Sequence, residues 1–134
     1  MIVLDEQLKQ VGAQEAIRHW YRGSVCTIRD LRPGTVIKDD IIPVLLRAAV
    51  EPTFVTVDWM DFWQRATPHS RFCLVCFTLP PDRAPEIAVL LRRLFRLSAF
   101  RTKAARMGKI ARISGDQVTY YQARDSQTYV LPLP

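Results

Sequence analysis

Apolar and polar positions along the chain change period several times, and each change marks out an element. Met1-Ile2-Val3-Leu4 is an apolar run that stops at Asp5-Glu6, as a short buried strand does. Over residues 7–20 the apolar positions Leu8, Val11, Ala13, Ala16, Ile17 and Trp20 follow the helical repeat, and Gly23-Ser24 breaks it. Ser24 to Ile28 is β-branched enough for a second strand, and Asp30-Leu31-Arg32-Pro33-Gly34 is turn chemistry. A second helix is expected from Asp39, burying Ile41, Ile42, Leu45, Leu46 and Ala49, with both aspartates in its first turn. Pro43 suits the start of that helix, where a missing N–H costs nothing, and Glu51-Pro52 closes it. Phe54 to Val57 predicts a third strand with Asp58 at its end, followed by a short helix from Trp59 to Ala66. Phe72 to Phe77 predicts a fourth strand, and Pro80-Pro81 a turn. Glu86 to Leu97 reads as an amphipathic helix burying Ile87, Leu90, Leu91, Leu94 and Phe95. Ile110–Ile113 and Val118–Tyr121, flanking Ser114-Gly115-Asp116-Gln117, predict a hairpin.

Strands alternating with helices imply an α/β fold: a mostly parallel sheet with helices on both sides, and here a C-terminal β-hairpin adding an antiparallel edge. No internal repeat, low-complexity tract or linker divides the chain, so residues 1–134 are expected to form a single domain, with 129–134 as a loose tail. A hydrophobic content of 49% excludes a disordered chain. No apolar run approaches the ~18 residues of a membrane span. The start of the chain meets acid at Asp5-Glu6 and lacks the basic, apolar pattern of a secretory signal, so a cytoplasmic location is expected. Cys26, Cys73 and Cys76 make no even disulfide set. The C-x-x-C pair Cys73/Cys76 sits inside a strand, without the helix N-terminus of a redox pair or the second ligand pair of a zinc site, and reads as small core residues.

Acids stand at particular places in this pattern. Asp5 ends the first strand, Asp39 and Asp40 open the second helix, Asp58 ends the third strand and Asp61 begins the next helix. In a parallel sheet these positions share the edge where strands end, which is where open α/β sheets bind ligands. Carboxylates gathered there repel one another unless a cation sits among them, and hard oxygen ligands favour Mg²⁺ or Mn²⁺. Helix capping accounts for Asp39 and Asp40 equally simply, and Glu6 and Asp30 read as surface and turn residues. His19 and His69 read as structural.

Charge adds to this. The net charge is +6, and between Arg83 and Arg112 nine basic residues face one acid, Glu86, whereas the first 61 residues hold nine of the thirteen acids. A basic half beside an acidic cluster suits an enzyme acting on a polyanion, with Arg92, Arg93 and Arg96 between the apolar positions of their helix as the expected nucleic-acid contacts. A solvated helix face explains the same charges.

Leu4-Asp5-Glu6, the stretch from Arg29-Asp30-Leu31 through Gly34 to Asp39-Asp40-Ile41, and Thr56-Val57-Asp58-Trp59-Met60-Asp61-Phe62 resemble the motifs of the PIN-like nuclease superfamily, which includes VapC-type toxins. The last is similar to that family's T-x-D-x-D-F with one extra residue between the aspartates. The resemblance spans most of residues 1–122 and suits the short single-domain subgroup with a Rossmann-like sheet. It implies a Mg²⁺- or Mn²⁺-dependent endoribonuclease cutting single-stranded RNA, the toxin of a toxin–antitoxin pair being one such role. It also implies that Asp5, Asp40 (or Asp39) and Asp58 bind the metal. Asp61 is a fourth ligand only where the turn absorbs the extra residue. The protein partners to test for are an antitoxin and a second copy of the chain. Two alternatives stand: a PIN-like module that binds without cutting, and a signalling receiver domain with Asp58 as phosphoacceptor beside Asp5-Glu6. A receiver wants a lysine after its fifth strand, and Lys103 and Lys109 come before the final strands.

Overall fold

A computed structural model describes residues 1–8, 12–57, 63 and 65–134. The predicted strands form, as β1 (Ile2–Leu4), β2 (Val25–Thr27), β3 (Thr53–Thr56), β4 (Cys73–Phe77), β5 (Lys109–Ser114) and β6 (Gln117–Gln122), and a further strand, β7 (Thr128–Pro132), joins them. They make one seven-stranded sheet in the order β2-β1-β3-β4-β5-β6-β7. The first five strands in that order are parallel, and β5–β6 and β6–β7 are antiparallel. The predicted hairpin is therefore present, but its first strand is the fifth parallel strand rather than an edge. Gly115, at φ +60°, takes the first central position of its two-residue turn, where a positive φ matches the twist of the strands.

Side chains alternate strictly across the sheet. Ile2, Leu4, Val55, Cys73, Val75, Phe77, Ala111 and Ile113 point to one face, where α1 (Ala13–Arg18) and α3 (Ile87–Leu94) cover them with Ile17, Ile87, Leu91 and Leu94. Val3, Phe54, Leu74, Cys76 and Ile110 point to the other, beneath Ile42 and Leu46 of α2 (Ile42–Ala48). A short helix, α4 (Lys103–Arg106), precedes β5. Cys73 and Cys76 thus lie on opposite faces of β4, each fully buried, so their C-x-x-C spacing brings no thiols together. Burial pushes the Cys73 thiol up to about 12.

The helices depart from expectation where backbone chemistry intervenes. The first does not run unbroken from residue 7 to 20: a 3-10 turn, Glu6–Leu8, is separated from α1 by Gly12 in the left-handed region at φ +72°. The second begins at Ile42, not at Asp39. An α-helix from Asp39 would need Pro43 to donate to the Asp39 carbonyl, and proline has no N–H. The chain instead turns with Ile41 N–H on the Lys38 carbonyl (3.0 Å) and starts its ladder with Leu45 N–H on Ile41 (3.1 Å). The amphipathic helix expected over Glu86–Leu97 is shorter, Ile87–Leu94, and a 3-10 segment, Pro81–Glu86, leads into it. The helix expected over Trp59–Ala66 falls largely outside the described residues.

The expected loose tail, residues 129–134, is instead the edge of the sheet. Tyr129, Leu131 and Leu133 alternate toward the core, with Leu133 buried and the ring of Tyr129 stacked on Tyr120 at 5.1 Å. Pro132, which reads as a breaker, costs little on an edge strand, where an N–H has no obligatory acceptor. The Leu133 N–H donates to Asp116 (2.7 Å), and the Arg93 Nε donates to the Pro134 carbonyl (2.8 Å). Removing residues 128–134 should lower unfolding stability by about 2–4 kcal/mol, on the scale of uncovering one or two large apolar side chains. Urea denaturation measures this; an unchanged midpoint would mean the strand adds nothing.

Candidate metal centre

The strand order reverses at β1, which has β2 on one side and β3 on the other. In doubly wound sheets the crevice outside the carboxyl ends at such a point is the ligand site. Asp5 stands there, directly after β1. Its N–H continues the ladder to the Val55 carbonyl (2.9 Å), which fixes the backbone, and the fully buried Thr56 at the end of β3 donates its hydroxyl to Asp5 Oδ2 at 2.7 Å. One side chain from each strand thus meets across the switch point. Burial raises the Asp5 pKa. The Thr56 hydroxyl and the Glu6 N–H oppose that rise, while the charges of Asp39 and Glu6 add to it.

Asp39 and Asp40 lie in the exposed turn before α2, and neither side chain caps the helix. They therefore stand in a turn rather than in a helical first turn, and the charge of Asp39 adds to the rise of the Asp5 pKa. Asp58 and Asp61 lie outside the described residues. Glu6 is turned outward and paired with Arg29, and Asp30 accepts the Thr27 N–H (2.9 Å) to cap the 3-10 turn Ile28–Leu31, the structural roles expected of both. The His69 imidazole takes the Arg71 N–H (3.1 Å) and stacks on Phe72, also a structural role.

The segment around Trp63 and Ala66 is anchored by residues that carry no signal in the sequence. Tyr121, on β6, reaches the carbonyl oxygens of Trp63 (2.8 Å) and Ala66 (3.1 Å) with its hydroxyl, and its ring meets the Trp63 ring edge-on at 4.9 Å. The Arg112 guanidinium lies 5.0 Å from the Trp63 ring. Burial pushes the Tyr121 hydroxyl up to about 12, so it stays a donor at any working pH. Such a pairing, 58 residues apart in the chain, leaves no local signal. Next to the acidic turn, a cavity of about 300 Å³ is walled by Ile42, Leu46, Phe72 and Leu74, with Asp39 and Asp40 among its lining residues.

Of Arg92, Arg93 and Arg96, Arg93 reaches the Pro134 carbonyl (2.8 Å) and lies 3.9 Å from Asp116, in the turn after β5. The end of α3 leads to Phe95, whose ring contacts Trp20 (5.8 Å) and Tyr21 (6.3 Å), and the Tyr21 hydroxyl accepts from the Met1 amine (3.2 Å), where β1 begins. Among the described residues no three His, Cys, Asp or Glu side chains come together as a metal cage. Asp5 is a hard oxygen donor of the kind Mg²⁺ takes, an ion that keeps several waters and needs only one or two carboxylates from a protein. Among the described residues no helix is long and apolar enough to cross a membrane. In comparisons with known proteins, no family model, no curated protein and no solved structure matches the chain.

Proposed function

We propose that the chain is a Mg²⁺- or Mn²⁺-dependent endoribonuclease that cuts single-stranded RNA at the crevice between β1 and β3. The observation that carries this is Asp5: a carboxylate at the switch point, held by Thr56, desolvated, and within reach of a second carboxylate's field. Desolvation and a like charge both disfavour its ionised form, and a divalent cation reverses both. A bound Mg²⁺ supplies an acidified water and offsets charge on the phosphate under attack. Asp5 and Asp39 would hold the ion, with Asp58 completing the set by resemblance to the PIN-like motif. Thr56 keeps one Asp5 oxygen occupied, so the carboxylate's other oxygen is the one presented. The apolar cavity beside Asp39 gives a flanking base a wall to lie against.

The test is cleavage of labelled single-stranded RNA with Mg²⁺ or Mn²⁺, stopped by EDTA. The resemblance points to Asp40 as the second ligand, whereas the field felt by Asp5 favours Asp39. Asp39→Asn should therefore lower cleavage about tenfold or more, and Asp40→Asn less, a tenfold change being about 1.4 kcal/mol of barrier. The reverse order would place Asp40 on the ion.

The receiver reading draws on one observation: the parallel order β2-β1-β3-β4-β5 is also that of receiver domains. It lacks the receiver's lysine. Strand β5 ends in Ser114 and turns through Gly115-Asp116, while Lys109 starts it and bonds the Ala105 carbonyl. Acetyl phosphate leaving a base-labile adduct on Asp58 would favour that reading over the nuclease.

A further inference from the structure

On the face of the sheet covered by α1 and α3, a groove of about 300 Å³ runs between the two helices, with Ala16, Trp20, Ala88 and Val89 in its apolar part and Arg92, Arg93 and Arg96 beside them. Val89, Arg92, Arg93 and Arg96 recur at helical spacing, so they share one side of the element. Val89 is 62% exposed, the most exposed large apolar side chain of that helix. Arg93 is committed to the Pro134 carbonyl, but the exposed side chains of Arg92 and Arg96 make no hydrogen bond or ion pair among the described residues. The groove thus has an apolar centre and a cationic rim.

We propose that this groove docks an acidic segment of a partner protein, an apolar side chain entering over Val89 and Ala88 while flanking carboxylates meet Arg92 and Arg96. An apolar core inside a polar rim, with arginine among the contacts, is the make-up of a protein interface, and an amphipathic segment laid in a groove is a standard way to fill one. An RNA backbone would use the same guanidinium groups, but the end of α3 lies toward the strand starts, away from Asp5. Charge complementarity and the apolar floor together therefore favour a peptide. The inference does not depend on the nuclease reading.

The experiment is a selection of phage-displayed random peptides on the intact protein, followed by anisotropy with the recovered sequences and, in parallel, with a single-stranded oligouridylate. Recovered peptides should carry Asp or Glu on both sides of a Leu, Ile, Phe or Trp. Joint reversal, Arg92→Glu with Arg96→Glu, should weaken them about tenfold or more, since desolvated charge pairs carry that much of an interface. Val89→Ser should weaken them too, whereas Arg47→Glu, on exposed α2 over the opposite face, should not. Asp5→Asn should leave peptide binding intact, which separates failure here from failure of the metal site. A consensus without acids, or binding indifferent to the double reversal, overturns the proposal. Oligouridylate binding that the reversal abolishes, with no peptide recovered, makes the groove an RNA track instead.

Discussion

Replacing Asp5 with asparagine should leave the fold intact and slow Mg²⁺-dependent cleavage of single-stranded RNA by about three orders of magnitude or more. The two side chains have the same shape, and the amide oxygen of asparagine still accepts the Thr56 hydroxyl that Asp5 Oδ2 accepts at 2.7 Å. Only the charge is lost. Electrostatic stabilisation by a metal is worth several kcal/mol at a reacting phosphate, and about 4 kcal/mol corresponds to a thousandfold in rate. The control is Asp30→Asn, a carboxylate of the same region that caps a 3-10 turn and should not affect the chemistry. Both variants and the wild type must come through one purification, because trace ribonuclease mimics the result. Equal cleavage by wild type and Asp5→Asn would remove Asp5 from the reaction.

The same substitution should have opposite effects on stability with and without metal. Burial holds the Asp5 carboxyl above its ordinary 3.8, so the folded state favours the neutral acid. A folded pKa raised in this way contributes stability that is fully present below the ordinary value and lost as pH rises through the raised one. At neutral pH in EDTA the ionised carboxylate therefore costs stability, and Asp5→Asn should melt higher than the wild type. Lowering the pH toward the ordinary aspartate range should close that gap. With Mn²⁺ present the order should reverse. At a hundredfold excess over the dissociation constant a ligand adds about 2.7 kcal/mol, roughly 5–10 °C for a chain of this size, and only the wild type should gain it. Thermal melts across pH, with and without Mn²⁺, read both signs. A wild type that melts no higher with Mn²⁺, or a variant that gains as much, would count against the site.

Strands were legible because Ile2–Leu4 and Cys73–Phe77 run apolar from end to end and the stretches on either side of Gly115 read as a hairpin. Their order was not, since a fully buried parallel strand such as Ile2–Leu4 carries the same residues whichever neighbours it has. β7 was hidden by Pro132 and Pro134, which read as breakers although an edge strand tolerates proline. The start of α2 was displaced by a hydrogen bond that Pro43 cannot make. At the site, Asp5 was legible from its place at the end of the first strand, and Thr56 from its motif Thr56-Val57-Asp58. The latch of Tyr121 on Trp63 and Ala66 was not, because it depends on how β6 lies against a segment far away in the chain.

The central claim, a divalent cation held at the switch point by Asp5, is tested most directly by anomalous diffraction from crystals soaked in Mn²⁺. The expected result is a peak about 2 Å from an Asp5 carboxylate oxygen, with a carboxylate of the Asp39-Asp40 turn on the same ion. A map with no peak at Asp5, or with Mn²⁺ bound only elsewhere, contradicts it.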